Sequence, residues 1–216
     1  MKLPPLRDAR GRLRRGRFIV LEGIDGAGTT TQTAAVVRAL NARGERTEPT
    51  AEPSDGPLGT LARQALSKRL VGKSGTFDPT ALALLFAADR MDHVRERILP
   101  ALGAGTTLVC DRYVLSSMAY QGLTLDAAAI ARMNEHAPAP DLTLFVAVPP
   151  KVAEDRRKRT RSEDELFDAL TLQRRVDRNY RRAVASRRKH ERIAVVDGTE
   201  PPEQVTRALL AHIDAL

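Results

Sequence analysis

Phe18-Ile19-Val20-Leu21-Glu22-Gly23-Ile24-Asp25-Gly26-Ala27-Gly28-Thr29-Thr30-Thr31-Gln32 is the stretch that decides the fold. Phe18 to Leu21 are apolar without interruption, the pattern of a short buried strand. Three glycines follow within six residues. Thr29 to Ala42 then reads as a helix, with Val36, Val37 and Leu40 on one face and Gly44 as its stop. Strand, Gly-rich loop and helix in that order make a phosphate-binding loop, where backbone N–H groups and a helix N-terminus face an anion. The usual form is G-x-x-x-x-G-K-[ST], and the window here runs from Gly23 to Thr30. Thr30 stands where a hydroxyl would ligate Mg²⁺. Thr29 stands where lysine is usual, and no shift of register recovers one. On spacing alone, a Gly-rich strand-to-helix turn without a ligand stays open beside the phosphate-binding reading.

Working outward, Glu45–Ala51 is a second strand, closed by Glu52-Pro53 and a Ser54-Asp55-Gly56-Pro57 turn. A long helical pattern covers Asp78 to Ala101, with Pro79 suited to its first turn. Gly103-Ala104-Gly105 breaks it, and Thr106–Cys110 reads as a buried strand ending at Asp111-Arg112-Tyr113. Helical stretches around 114–121 and 126–136 follow. Pro138 and Pro140 introduce Leu142–Val148, the most strand-like segment of the chain. A charged helix starts near Pro150 and resumes from about Leu166 to Lys189. Arg192–Val196 and Pro202–Ala215 are the last strand and helix. Strands separated by helices imply a parallel sheet covered on both faces, hence one three-layer α/β domain.

Composition narrows the function classes. Aromatic residues make up only 4% and Trp is absent, so the core is built from Leu, Val, Ile and Ala. No apolar run approaches the roughly 20 residues of a membrane helix. Cys110 is the single cysteine and the four histidines are scattered, which argues against a disulfide framework or a zinc motif and favours a cytoplasmic setting. The net charge of +8 is concentrated: residues 1–17 carry +6 and residues 151–192 carry +7. No aromatic residue interleaves with the first cluster, so base stacking on nucleic acid is not expected. Residues 1–16 form a basic N-terminal arm, expected to be flexible, and the domain spans 17–216.

The opening motif resembles that of bacterial thymidylate kinases. So does Asp111-Arg112-Tyr113-x-x-Ser116-Ser117-x-Ala119-Tyr120-Gln121-Gly122. Leu84-Leu85-Phe86-Ala87-Ala88-Asp89-Arg90 resembles the family's Phe-x-x-x-Arg helix, and Glu52-Pro53 with Gly59 and Arg63 resembles its acceptor loop. Pro140-Asp141-Leu142-Thr143 and Val195-Val196-Asp197-Gly198 also fall in order. The resemblance runs from about residue 17 to the end. It implies a P-loop nucleoside-monophosphate kinase fold, with five parallel strands ordered 2-3-1-4-5 and a mobile basic lid at about 155–166. It implies a homodimer that phosphorylates dTMP to dTDP with ATP and Mg²⁺, without a nucleic-acid or membrane partner.

The same resemblance assigns roles. Gly23, Ile24, Asp25, Gly26, Ala27, Gly28, Thr29, Thr30 and Thr31 would hold ATP. Thr30 and Asp111 would hold Mg²⁺, partly through water. Glu52, Pro53, Arg63, Phe86, Arg90, Arg112, Ser117, Tyr120 and Gln121 would hold dTMP, with thymine stacked on Phe86 and hydrogen-bonded by Arg90. Glu52 would help to hold the acceptor sugar or metal-bound waters. Catalysis would fall to Asp25, Arg112 and the lid residues Arg156, Arg159 and Arg161. Three positions depart from the family: Thr29 replaces lysine, Ala51 replaces the arginine before Glu-Pro, and Ala147 replaces aspartate. The first two remove positive charge from a site that must hold several phosphates. Either the lid arginines compensate, or the chain is a nucleotide-binding regulator that has lost catalysis.

Overall fold

The computed structural model describes residue 3 and residues 15–73, 75, 77–157 and 163–216, with the backbone alone for 163–169. β1 (Phe18–Glu22) is buried along its whole length at the centre of the sheet. Its apolar residues serve two cores because successive strand side chains point to opposite faces. Ile19 and Leu21 pack with Val36, Leu40 and Tyr180 on one face. Phe18 and Val20 pack with Val94, Ile98 and Leu102 on the other.

From β1 the chain passes through α1 (Thr29–Ala42), β2 (Thr47–Ala51) and α2 (Pro57–Leu66) to α3 (Pro79–His93). Asp78 caps α3 by accepting from the Thr80 and Ala81 N–H groups, and Pro79 occupies its first turn. That helix continues through a π turn, Val94–Ile98, into α4 (Leu99–Gly103). Next come β3 (Thr107–Asp111), α5 (Val114–Tyr120), α6 (Ala127–Met133) and β4 (Leu142–Ala147). The chain closes with α7 (Pro150–Arg157), α8 (Glu163–Arg187), β5 (Ile193–Asp197) and α9 (Pro202–Asp214). The sheet order is β2-β3-β1-β4-β5 and every pairing is parallel, as the resemblance implied. Pro49, which has no N–H to donate, lies on the edge strand β2.

Two features differ from the sequence reading. Helix α2 replaces the expected acceptor loop: Gly56 is its N-cap and Pro57 opens it, so the Gly-Pro pair starts a helix rather than merely closing a turn. Described residues of the stretch read as an arm pack on the domain: Leu3 lies against the second core, and Arg15 is buried. The Arg15 guanidinium meets both Asp141 carboxylate oxygens at 2.7 Å. Gly16 lies so close to the β3 entry that a Cβ there would stand 1.9 Å from the Thr106 carbonyl oxygen. Residues 1, 2 and 4–14 of the arm, and residues 158–162 of the lid, lie outside the described residues. Among the described residues no helix is long and apolar enough to cross a membrane.

The chain leaves β1 toward the β2 edge, returns through β3, and then crosses to β4 on the other side of β1. Connections on either side of β1 therefore diverge, and a crevice opens at the carboxyl ends of the strands.

Candidate active site

The loop after β1 forms one half of this crevice. Gly26 and Gly28 adopt φ of +89° and +92°, the left-handed conformation that a side chain disfavours. At Gly26 there is a second constraint, because a Cβ would stand 2.4 Å from the Ala153 carbonyl oxygen on α7. Thr29, at the first position of α1, is buried, and its methyl group lies 3.2 Å from where a Gly23 Cβ would stand. Its side chain thus packs into the loop. The Thr30 hydroxyl donates to Asp111 Oδ2 at 2.5 Å, joining the start of α1 to the end of β3. Asp111 Oδ1 is buried without a hydrogen-bond partner among the described residues. A hydroxyl, a carboxylate and a spare carboxylate oxygen suit Mg²⁺, which takes one or two protein ligands beside phosphate oxygens and water. A cavity of about 470 Å³ flanks the loop, lined by Gly28, Thr31, Gln32, Arg156 and residues 198–202. Arg156 reaches across it to donate to the Gly198 carbonyl at 2.9 Å.

A second cavity, of about 390 Å³, lies on the other side of Asp25 and is lined by Phe86, Arg90, Arg112, Ser117, Tyr120, Gln121, Glu52 and Pro53. Phe86 is half-buried on its wall rather than packed in either core. Arg90 is 2% exposed. Its Nε donates to Glu52 Oε2 at 2.8 Å, Nη1 donates to Asn134, and Nη2 reaches the Tyr113 carbonyl and Ser117 Oγ, both at 3.1 Å. Four protein groups thus accept from a side chain with five N–H donors. Glu52 is itself buried and also approaches His93 Nδ1 at 3.3 Å. Its carboxylate is committed to fixing Arg90. Among the described residues Gln121 Oε1 is buried at the cavity wall without a hydrogen-bond partner, an acceptor available to a ligand N–H.

Between the cavities stands Arg112, with φ of +72°, an uncommon conformation for a residue with a side chain. Its N–H donates to the Leu21 carbonyl at 2.8 Å, which holds the turn against β1. Its Nη2 donates to Asp25 Oδ1 at 2.7 Å, and Nη1 donates to the Gly23 carbonyl at 3.0 Å and Tyr180 Oη at 3.2 Å. Tyr120 donates to Asp25 Oδ1 at 2.8 Å. Burial opposes the Arg112 charge, but the oxygens of Tyr180, Tyr120, Asp25 and Glu22 more than offset it, so the guanidinium stays protonated. Beneath it lies Glu22, fully buried. Its Oε1 accepts from the Tyr113 and Ser116 N–H groups, and its Oε2 from the Ser116 and Tyr180 hydroxyls. Burial raises the Glu22 carboxyl above its ordinary value; those hydrogen bonds and Arg112 pull it back only in part.

The site residues expected from sequence therefore converge, with three differences. Arg63 is not on the cavity wall: its guanidinium, 43% exposed, donates to the Pro53 and Ser54 carbonyls and fixes the loop behind the cavity. Arg156 points to the donor-side cavity, away from Asp25. Arg159 and Arg161 lie outside the described residues. The sequence reading gave no role to Glu22, Asn134, Gln173 or Tyr180, quoted Ser116 only within a motif, and counted Arg157 only as one of the lid cations. Glu22 was within reach, because a carboxylate ending a buried strand is the same signal that singled out Asp111.

A family model described as thymidylate kinase matches residues 21–209. A probable thymidylate kinase of Pyrococcus horikoshii is 42% identical over 167 residues, covering 77% of this chain and 82% of its own. One from Pyrococcus abyssi is 37% identical over 201 residues, covering 92% and 97%. A thymidylate kinase of Thermomicrobium roseum is 39% identical over 203 residues, covering 91% and 93%. The family model and these relatives cover most of the chain, and the chain belongs to the thymidylate kinase family.

Proposed function

We propose that this protein transfers the terminal phosphoryl group of ATP to dTMP, giving ADP and dTDP for dTTP synthesis. The observation that carries the reading is the position of Arg112. It stands between a phosphate loop and a cavity whose wall presents an aromatic ring and polar groups suited to a pyrimidine. ATP lies with its phosphates on Gly23–Thr31 and its base toward the cavity beside Gly198. In the other cavity thymine stacks on Phe86, and Arg90, Ser117 and Gln121 meet its polar edge. Pro53 and Tyr120 close the acceptor pocket, while Arg63 supports its loop and Glu52 holds Arg90.

Phosphoryl transfer asks mainly for positioning and charge neutralisation. Arg112 grips the acceptor phosphate with two N–H groups, and Asp25 and Tyr180 hold its plane fixed. Thr30 and Asp111 are the residues that would hold Mg²⁺, which when bound neutralises charge on the phosphate oxygens. Arg159 and Arg161 are the further cations that the family resemblance offers for the donor phosphates. We further propose a homodimer working in the cytoplasm.

The test is coupled ADP release with ATP, Mg²⁺ and each nucleoside monophosphate in turn. Release with dTMP well above the other acceptors supports the kinase. Binding of dTMP without ADP release points instead to a nucleotide-binding regulator, the reading that Thr29 favours. Light scattering on the purified protein tests the dimer.

A further inference from the structure

We infer that Asp89, on α3, is a positioning residue for the acceptor site: it holds Ser54, and with Arg90 it fixes where Pro53 stands on the cavity wall relative to Phe86. The inference rests on dTMP as the acceptor, as proposed above. Asp89 is 1% exposed and Ser54 5%. Asp89 Oδ2 accepts the Ser54 N–H at 2.8 Å, and Oδ1 accepts the Ser54 hydroxyl at 2.5 Å. Among the described residues both hydrogen bonds of this carboxylate come from Ser54, and no cation pairs with it. A buried carboxylate without a paired cation is a poor choice for packing alone. Its use is to grip one residue of the loop between β2 and α2.

Asp89 and Arg90 are consecutive on a helix, so their side chains leave it about 100° apart and reach different points of that loop. Arg90 takes Glu52 and Asp89 takes Ser54. Glu52 is also tied to the sheet, because its N–H donates to the Asp111 carbonyl at 3.0 Å. Pro53 lies between these two anchors and lines the acceptor cavity, as does Phe86, one turn earlier on α3. The loop is closed behind as well. Arg63 donates to the Pro53 and Ser54 carbonyls at 2.8 and 2.6 Å, and a Cβ on Gly59 of α2 would stand 2.0 Å from the Ser54 carbonyl oxygen. The Ser54 hydroxyl also accepts the N–H of Gly56, the N-cap of α2, at 3.1 Å. Released from Asp89, Ser54 shifts together with Pro53 and the start of α2, and the width of the cavity changes. A wall already in place spares the acceptor the cost of ordering it. Asp89 is turned to the loop and not to the reacting phosphates, so its effect falls on acceptor binding.

Three variants test this by steady-state ADP release, each well below its own Tm. Asp89→Ala should raise KM for dTMP on the order of tenfold, with kcat within about twofold and KM for ATP unchanged. Asp89→Asn should return most of that loss, because its amide oxygen accepts the Ser54 N–H and its amide nitrogen donates to the Ser54 hydroxyl. Ser54→Ala keeps the backbone bond and should raise KM for dTMP by a smaller factor. The assignment is overturned if Asp89→Ala keeps the wild-type KM for dTMP, raises KM for ATP equally, or lowers kcat as far as it raises KM. It is equally overturned if Asp89→Asn is as impaired as Asp89→Ala. Where Asp89→Ala fails to fold, Ser54→Ala carries the test, and a wild-type KM for dTMP in that variant overturns the role. A wild type that releases no ADP with dTMP would refute the transfer itself, whereas an active wild type indifferent to these substitutions refutes only the positioning role.

Discussion

Arg90 and Glu52 are 2% and 4% exposed at their side chains, and each is the other's counter-charge. Truncating one partner of such a pair strands the other in a poorly solvated place, which costs about 3–5 kcal/mol. Arg90→Ala should therefore lower unfolding free energy by about that amount in urea denaturation without any ligand. The pair Arg90→Met with Glu52→Gln should regain most of the stability, yet still lose about 1–3 kcal/mol of dTMP affinity by calorimetric titration, because the donor to the base is gone. Normal dTMP affinity in the double variant would remove Arg90 from base recognition. Glu22 poses a different problem, since its partners are mostly neutral and burial raises its carboxyl. The folded chain then holds this proton more tightly than the unfolded chain does. Its contribution to stability is full below the unfolded value and declines as pH climbs toward the raised folded value. Glu22→Gln can keep the geometry: the amide oxygen accepts the Tyr113 and Ser116 N–H groups, and the amide nitrogen donates to the Ser116 and Tyr180 hydroxyls. The stability of Glu22→Gln relative to wild type should rise with pH from the acid side and then level off. A difference independent of pH would show that Glu22 is not titrating across that range.

At the scale of elements, the meeting of α7 with the loop after β1 sets how close Arg157 and Asp25 come. Gly26 and Gly28 separate strain from contact, because both have positive φ but only Gly26 faces a neighbour. Gly28→Ala should cost about 1–2 kcal/mol for the left-handed conformation alone. Gly26→Ala carries that cost and also drives α7 from its seat, so it should lose more stability and a larger share of kcat. Equal losses in thermal unfolding and turnover would mean that α7 does not rest on the loop. This meeting was not legible in the sequence, since nothing at residue 26 announces residue 153. The strands were legible, because Phe18–Leu21 and Leu142–Val148 are apolar runs bounded by glycine or proline. The Phe86, Ser117 and Gln121 positions were legible only through the family motifs. α2 was missed because Gly56-Pro57 was read as a turn signal, although Leu58, Leu61, Ala62 and Ala65 recur at helical spacing. The partners of Arg90 were hidden for the same reason as Ala153: Glu52 and Asn134 lie 38 and 44 residues away. Local patterns fix elements, and contacts between distant elements decide which polar groups meet.

Across the whole molecule, the parallel sheet divides chemistry from fastening. Glu22, Asp111 and the acceptor cavity lie at the carboxyl ends of the strands, where the connections diverge. At the amino ends the chain before β1 is tied down instead. Arg15 grips Asp141 just before β4, Asp141 accepts the Phe18 N–H at 2.8 Å, and Arg17 reaches Glu45 and the Ile213 carbonyl. The Arg15 and Asp141 side chains are 6% and 12% exposed, so this pair is shielded from water and salt. Arg15→Ala leaves the Asp141 carboxylate with the Phe18 N–H as its remaining donor among those bonds. The loss should be about 3 kcal/mol, or a Tm lower by about 6–12 °C for a domain of this size. Because the pair is at the far end of the sheet from the phosphate loop, kcat and KM for dTMP measured well below that Tm should match the wild type. The same substitution thus tests the division directly, by calorimetry and by ADP release on one preparation. A normal Tm would mean that the chain before β1 adds nothing to the fold. A normal Tm shift with impaired turnover would mean that order at the amino end of the sheet reaches the loop through β1.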